Sequence, residues 1–156
     1  MSDWIEEGAV APDFSLAADD GREVRLSALR GKPVVLYFYP KDDTPGCTKE
    51  ACAFRDRRSE IEERGAIVLG VSPDTVASHG KFRDKYGLNF PLLADPDHAV
   101  ADSYGAWREK NMYGKVSMGI QRSTFLIDAA GIVRKVWKKV SVDGHDEQVL
   151  AALAGL

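Results

Sequence analysis

Six consecutive apolar residues, Val34-Val35-Leu36-Tyr37-Phe38-Tyr39, leave no polar position to face water on either side of an extended chain. The run is rich in β-branched and aromatic residues, which predicts a strand buried on both faces. Ile67-Val68-Leu69-Gly70-Val71 repeats the pattern. Two such strands need covering layers above and below, so the chain is constrained towards a layered α/β architecture.

The intervening and following segments supply those layers. Residues 14–16 and 23–25 read as short strands around the Asp19-Asp20-Gly21 turn, and residues 27–29 as one helical turn before Gly31. Residues 48–64 read as a helix with Ala51, Phe54 and Ile61 towards the core and Gly65 as its stop. Asp74 is placed to cap a helix running to about Tyr86, and Asp95-Pro96 to open another that closes near Gly105. Residues 123–127 and 133–137 read as strands flanking the turn at Asp128-Ala129-Ala130-Gly131, and residues 143–153 as a last helix. Residues 107–119 show no period and read as a long, mobile loop. The expectation is a three-layer α/β fold forming a single domain over residues 1–156, large enough to bury roughly two-thirds of its unfolded surface.

Composition excludes several functions. A net charge of −3 gives no basic surface for nucleic acid, and no stretch reaches membrane-span length. The acidic start, Met1-Ser2-Asp3-Trp4-Ile5-Glu6-Glu7, lacks the basic and apolar segments of a secretion signal, so a cytoplasmic protein is expected. Thiols stay reduced there, and a nearby pair of cysteines points to catalysis or metal binding before a structural staple.

That pair is Cys47 and Cys52, directly after the first buried run. Thr44-Pro45-Gly46 is a turn, which puts Cys47 at or near the first turn of a helix. Unpaired N–H groups and the positive end of the helix dipole favour the thiolate there. An ordinary cysteine, with a pKa of about 8.5, is only a few per cent ionised at neutral pH, so this placement makes Cys47 the candidate nucleophile. Five residues of helix separate Cα atoms by roughly 9 Å. A disulfide spans no more than about 7 Å, so a Cys47–Cys52 bond requires the helix start to unwind. Inert, buried cysteines are the plain alternative. A metal site is disfavoured, because His79, His98 and His145 have no paired spacing, and the cysteines lack the Cys-x-x-Cys pattern of dithiol oxidoreductases. His79 and His98 read as surface or capping residues, and Trp4, Trp107 and Trp137 as core or lid aromatics.

The string Pro40-x-x-x-Thr44-x-x-Cys47 resembles the active-site signature of peroxiredoxins. Its extension, Thr44-Pro45-Gly46-Cys47-Thr48-x-Glu50-Ala51-Cys52-x-Phe54-Arg55-Asp56, is similar to the subgroup called bacterioferritin comigratory protein or peroxiredoxin Q. The likeness continues through Gly70-Val71-Ser72-x-Asp74, Gly87-x-x-Phe90-Pro91-Leu92-Leu93-x-Asp95, Tyr113-Gly114-Lys115 and Arg122-Ser123-Thr124-Phe125-Leu126-Ile127-Asp128. The resemblance implies a thioredoxin-like three-layer domain with a central mixed β-sheet flanked by helices. It implies a peroxidase that reduces hydrogen peroxide and organic hydroperoxides. Cys47 would attack the peroxide, Thr44 would hydrogen-bond the thiolate and the peroxide oxygens, Pro40 would shield the pocket, and Arg122 would keep the sulfur ionised. Cys52 would resolve the sulfenic acid as a transient disulfide, which thioredoxin or a similar dithiol would reduce. No metal, flavin or haem is expected, since sulfur carries both electrons. A monomer is expected, with a dimer possible.

Glu50 stays open between a partner for Arg122 and a first-turn carboxylate that merely suits the helix dipole. Two rival functions use the same cysteines. One is a protein thiol–disulfide oxidoreductase, and the other a redox-sensing binding module. Neither needs the oxygen-stabilising Thr44 and Arg122.

Overall fold

The computed structural model describes residues 2–156. In chain order, β1 (Ser15–Ala17) and β2 (Glu23–Arg25) form a small antiparallel ribbon, followed by a 3-10 turn at Leu26–Leu29. Then come β3 (Val34–Phe38), α1 (Pro45–Asp56), α2 (Arg58–Glu63), β4 (Ile67–Ser72), α3 (Val76–Tyr86), β5 (Leu92–Ala94) and α4 (Ala99–Tyr104). The chain continues through β6 (Trp107–Met112), β7 (Lys115–Ile120), β8 (Ser123–Ile127), β9 (Val133–Trp137) and α5 (His145–Ala154).

Five strands form the central sheet in the order β5-β4-β3-β8-β9. β4 runs parallel to β3 and to β5, whereas β8 runs antiparallel to β3 and to β9, so the sheet is mixed. All five β3 residues are buried, as a run with no polar alternation requires. Val35 and Tyr37 join a core with residues of α1, α2, α3 and α5, whereas Val34, Leu36 and Phe38 join the opposite core with α4 and the N-terminal segments. The run reads as continuous because each face is covered. No helix among the described residues is long and apolar enough to cross a membrane.

Five local expectations are corrected. The helix expected over residues 48–64 starts at Pro45 and breaks at Arg57, whose ψ of 5° leaves the helix, and α2 restarts with Ile61 turned into the core. No glycine or proline marks the break. Asp74 does not cap α3. Thr75 does, its Oγ1 accepting from the Ser78 amide at 3.1 Å, while the Asp74 carboxylate turns back to Ser72 and Asp42. The helix expected to open at Asp95-Pro96 begins at Ala99, although the Asp95 carboxylate reaches forward to the Val100 and Ala101 amides. The segment expected as a mobile loop is a β-hairpin of β6 and β7, turning at Tyr113 and Gly114, both left-handed. Most of its residues are exposed; β6 carries polar side chains on both faces, and only β7 alternates, with Val116, Met118 and Ile120 on one face. His79, expected at the surface, is fully buried. In addition, the three-residue strand β5 carries no signal of its own and exists by pairing with β4.

Gly105 ends α4 with φ +88°, and a Cβ there would lie 2.4 Å from the Trp4 Cα and 2.7 Å from the Asp3 carbonyl oxygen. Both obstacles are backbone. Gly87 ends α3 with φ +60° and open space around it. Gly105→Ala should therefore cost about 3 kcal/mol or more by urea denaturation, and Gly87→Ala about 1 kcal/mol. Equal losses would show that the approach of the N-terminal segment does not constrain this turn.

Candidate active site

β3 delivers the chain to residues 40–44, and the loop turns directly into α1. Pro45 occupies the first helical position, where its missing N–H costs nothing. The first helical bond runs from the Thr48 amide to the Thr44 carbonyl at 2.8 Å. The amides of Gly46 and Cys47 thus lie ahead of the helical ladder, at the positive end of the dipole. Cys47, the third helical residue, is buried, as expected for a shielded nucleophile. Cys52 is partly exposed, farther along the same helix, and both thiols are free.

Arg122 reaches this sulfur from the other side of β3. The β3–β8 register pairs Phe38 with Ser123, which puts the residue before β8 beside the end of β3, where α1 begins. Arg122 Nη2 donates to Cys47 Sγ at 3.3 Å, and Nη1 donates to Glu50 Oε1 at 2.7 Å. A side chain on Gly46 would place its Cβ 3.1 Å from Nη2, so this glycine leaves room for the guanidinium. The sequence announced Gly46 only as part of a turn.

Glu50 is therefore the partner of Arg122; because α1 starts at Pro45, it lies beyond the first turn, and the dipole reading falls away. It is 2% exposed, and its Oε2 has no hydrogen-bond partner. Burial raises its carboxyl pKa from 4.5 to about 7 against the pull of Arg122. Burial works against the Arg122 charge too, but Glu50 and the Cys47 sulfur outweigh it and raise its pKa above the ordinary arginine value.

The remaining expected residues lie on the loop. Pro40 is half-buried where β3 ends. The Thr44 hydroxyl, expected to bond the thiolate, donates instead to the Lys41 carbonyl at 2.8 Å, which leaves its oxygen free to act as an acceptor.

Two groups escaped sequence reasoning. Lys110, on β6, lies half-buried against Gly119 of β7, and burial together with the Arg122 charge lowers its pKa. The hairpin thus adds a second cation near the sulfur, a placement that only the β6–β7 pairing reveals. Behind the loop, Asp42 is buried and hydrogen-bonded to His79 Nδ1 at 2.7 Å. Asp42, Asp74 and His79 are the one group of ligand-type side chains gathered closely enough for a metal ion among the described residues. Their ligand atoms are already engaged with one another, with Tyr39 and with neighbouring serines, so the donor set is closed by hydrogen bonds.

A family model described as the AhpC/TSA family matches residues 8–136. A putative peroxiredoxin bcp of Coxiella burnetii is 52% identical over 149 residues, covering 96% of this chain and 99% of that one. Peroxiredoxin Bcp of Bacillus subtilis is 50% identical over 149 residues, covering 96% and 95%. Among solved structures, the Xanthomonas campestris bacterioferritin comigratory protein, studied as trapped intermediate and ligand complexes for its alkyl peroxide reduction, superposes with a TM-score of 0.90 at 45% identity. It covers 97% of this chain and 96% of its own.

The Glu50 carboxyl has a pH signature. Its folded pKa, about 7, exceeds its unfolded value of 4.5, so the folded protein holds a proton that the unfolded chain releases. Stability from this group is full below about pH 4.5 and declines until about pH 7, by on the order of 3 kcal/mol. Subtracting urea-denaturation stabilities of Glu50→Gln from those of the parent between pH 4 and 8 should expose that decline. A flat difference would place the ionised carboxylate comfortably in the fold.

Proposed function

Because this chain belongs to the AhpC/TSA family, and within it to the peroxiredoxins of the Bcp or Q type, we propose that its thiol peroxidase activity runs through Cys47, Thr44, Arg122 and Cys52. The observation that carries the assignment is the Arg122 guanidinium, donating at once to Cys47 Sγ and to the buried Glu50. A permanent cation with a planar donor fork lies against the sulfur and faces the oxygen on which charge develops.

In the first step the Cys47 thiolate attacks the nearer oxygen of a hydroperoxide. A sulfur–oxygen bond forms, the oxygen–oxygen bond breaks, and the leaving oxygen takes a proton to depart as water or an alcohol. Thr44, its own proton donated to Lys41, accepts the hydrogen of the incoming hydroperoxide, and Pro40 screens the pocket. In the second step α1 unwinds at its start and the Cys52 thiol attacks the Cys47 sulfenic acid. The disulfide forms and water leaves. A dithiol protein of the thioredoxin type then returns both cysteines to thiols and is itself oxidised.

Every residue assigned here comes from one chain, which supports a monomeric enzyme working as a single domain. A reducing compartment such as the cytoplasm supplies the dithiol.

Cys47→Ser should abolish peroxide consumption. Cys52→Ser should consume one equivalent and then stall with thioredoxin as the reductant. In stopped-flow measurements Arg122→Ala should slow the peroxide step by about a hundredfold, the usual loss when one charge-stabilising donor is removed. Normal cycling of Cys52→Ser with thioredoxin would remove the resolving assignment, and an unaffected peroxide step in Arg122→Ala the electrostatic one.

A further inference from the structure

The loop that carries Pro40 and Thr44 is strained and clamped. Asp43 has φ +56°, a left-handed backbone that a residue with a side chain adopts only when its surroundings hold it. Its carboxylate accepts from Lys85 Nζ and from the Tyr86 hydroxyl, each at 2.7 Å, on α3. Next to it, the Asp42 carboxylate points inward. It accepts from the Tyr39 hydroxyl at 2.6 Å and the Ser78 hydroxyl at 2.8 Å, and lies 2.7 Å from His79 Nδ1. The Asp42 amide donates to Asp74 Oδ2 at 2.8 Å, beyond the end of β4.

The proton inventory of this cluster follows from its partners. His79 Nε2 is 2.9 Å from the Leu93 carbonyl oxygen, an acceptor only, so Nε2 carries a hydrogen. A proton also lies between Nδ1 and Asp42 Oδ2, because two bare acceptors would repel at that distance. Asp42 therefore takes hydrogens from three side chains, Tyr39 just after β3 and Ser78 and His79 on α3, with both aspartate and histidine withdrawn from water. Charge-assisted bonds in a dry site are among the strongest a fold makes, and this one sits five residues ahead of Cys47.

Farther along the chain, a second set of contacts holds the other end of α1. Arg55 Nη1 donates to the Tyr86 carbonyl at 2.6 Å, and Arg57 pairs with Asp146 of α5 at 3.0 Å. Between the two anchors lies the stretch that contains both cysteines. Its first-turn tether to the segment before α5, Lys49 with Asp143, is solvent-exposed and correspondingly weak.

We propose that the Asp42–His79 pair is a positioning device for the peroxide step, holding residues 40–44 in place so that Cys47 is presented to Arg122, and setting how far the unwinding that brings Cys47 to Cys52 can spread. Asp42 touches no reacting atom. It acts through the loop, and loosening it moves the balance away from the helical, peroxide-reactive arrangement towards the unwound, disulfide-forming one. The proposal rests on the reading of Cys47 as the nucleophile.

The two half-reactions respond in opposite directions, which separates positioning from simple damage to the fold. Reduced protein is mixed with hydrogen peroxide in a stopped-flow instrument, and tryptophan fluorescence is followed over a range of peroxide concentrations. The concentration-dependent phase reports peroxide attack and the concentration-independent phase disulfide formation. Asp42→Asn should slow the first by about tenfold or more, as expected for losing a buried charged hydrogen bond, and leave the second as fast or faster. It should also resist over-oxidation to sulfinic acid by excess peroxide, read by intact mass. Tyr39→Phe, which removes one donor and keeps the ring, guards against misfolding of the first variant and should shift both phases in the same directions by a smaller factor. A peroxide phase unchanged in both variants overturns the proposal, as does an equal slowing of both phases. No peroxide-dependent phase in the parent protein overturns the functional reading instead.

Discussion

A partly buried guanidinium is the constraint around which this molecule is arranged. Arg122 is largely withdrawn from water beside a sulfur atom, and a charge in that position needs partners at hydrogen-bond distance. Glu50 supplies one and Cys47 the other. The β3–β8 register, the bare α-carbon of Gly46 and the proline start of α1 each bring one party to the meeting. The compensation is incomplete, because Glu50 Oε2 has no partner and burial raises its pKa. An arrangement selected for stability would have filled this space with apolar side chains. Its retention makes sense as a way to hold a charged sulfur out of water.

The helix that presents the sulfur carries a second, opposed demand. It must be ordered while Cys47 faces Arg122 and must open for Cys47 to meet Cys52. The structure divides these demands along the helix. Near its end, Arg57 bonds Asp146, Glu147 and Glu60, and Phe54 is sealed in the core against His145. At its start, a proline and a glycine contribute no helical side-chain contacts among the first two residues, and the nearby Lys49–Asp143 pair is exposed. Opening from the start exposes little apolar surface, whereas opening from the end would expose Phe54. Local unwinding is thereby directed to the segment where the chemistry uses it.

How much of this was legible in the sequence depended on whether the signal was local. The runs of β3, β4 and β8, the turn before Cys47 and the placement of Cys47 at a helix start needed only neighbouring residues. The likeness of Pro40, Thr44, Cys47 and Arg122 to a known family brought distant residues together without any geometry. What stayed hidden was set by partners far along the chain. Arg57 breaks the helix without a glycine or proline. β5 exists because β4 lies beside it. In the hairpin, β6 is polar on both faces, and the alternation of Val116, Met118 and Ile120 in β7 is too short to stand out beside it. His79 looked like a surface residue because nothing near it in sequence shows that Asp42, 37 positions away, waits in the core.

The same contact that prepares the sulfur also explains why oxidation prompts release. In the proposed cycle, while Cys47 is a thiolate, Arg122 bonds an anionic sulfur as well as the Glu50 carboxyl, and the first turn of α1 is held by a charge-assisted bond as well as by its own backbone. A sulfenic acid is neutral. Its formation removes the sulfur's charge, leaves the Glu50 carboxyl as the remaining partner of Arg122, and weakens the hold on the turn that carries the oxidised sulfur. The backbone at that point has few helical bonds to oppose opening, since the ladder begins only at Thr48. Peroxide attack therefore lowers the cost of the unwinding that must follow it, and the return of the thiolate after reduction restores the contact that closes the helix again.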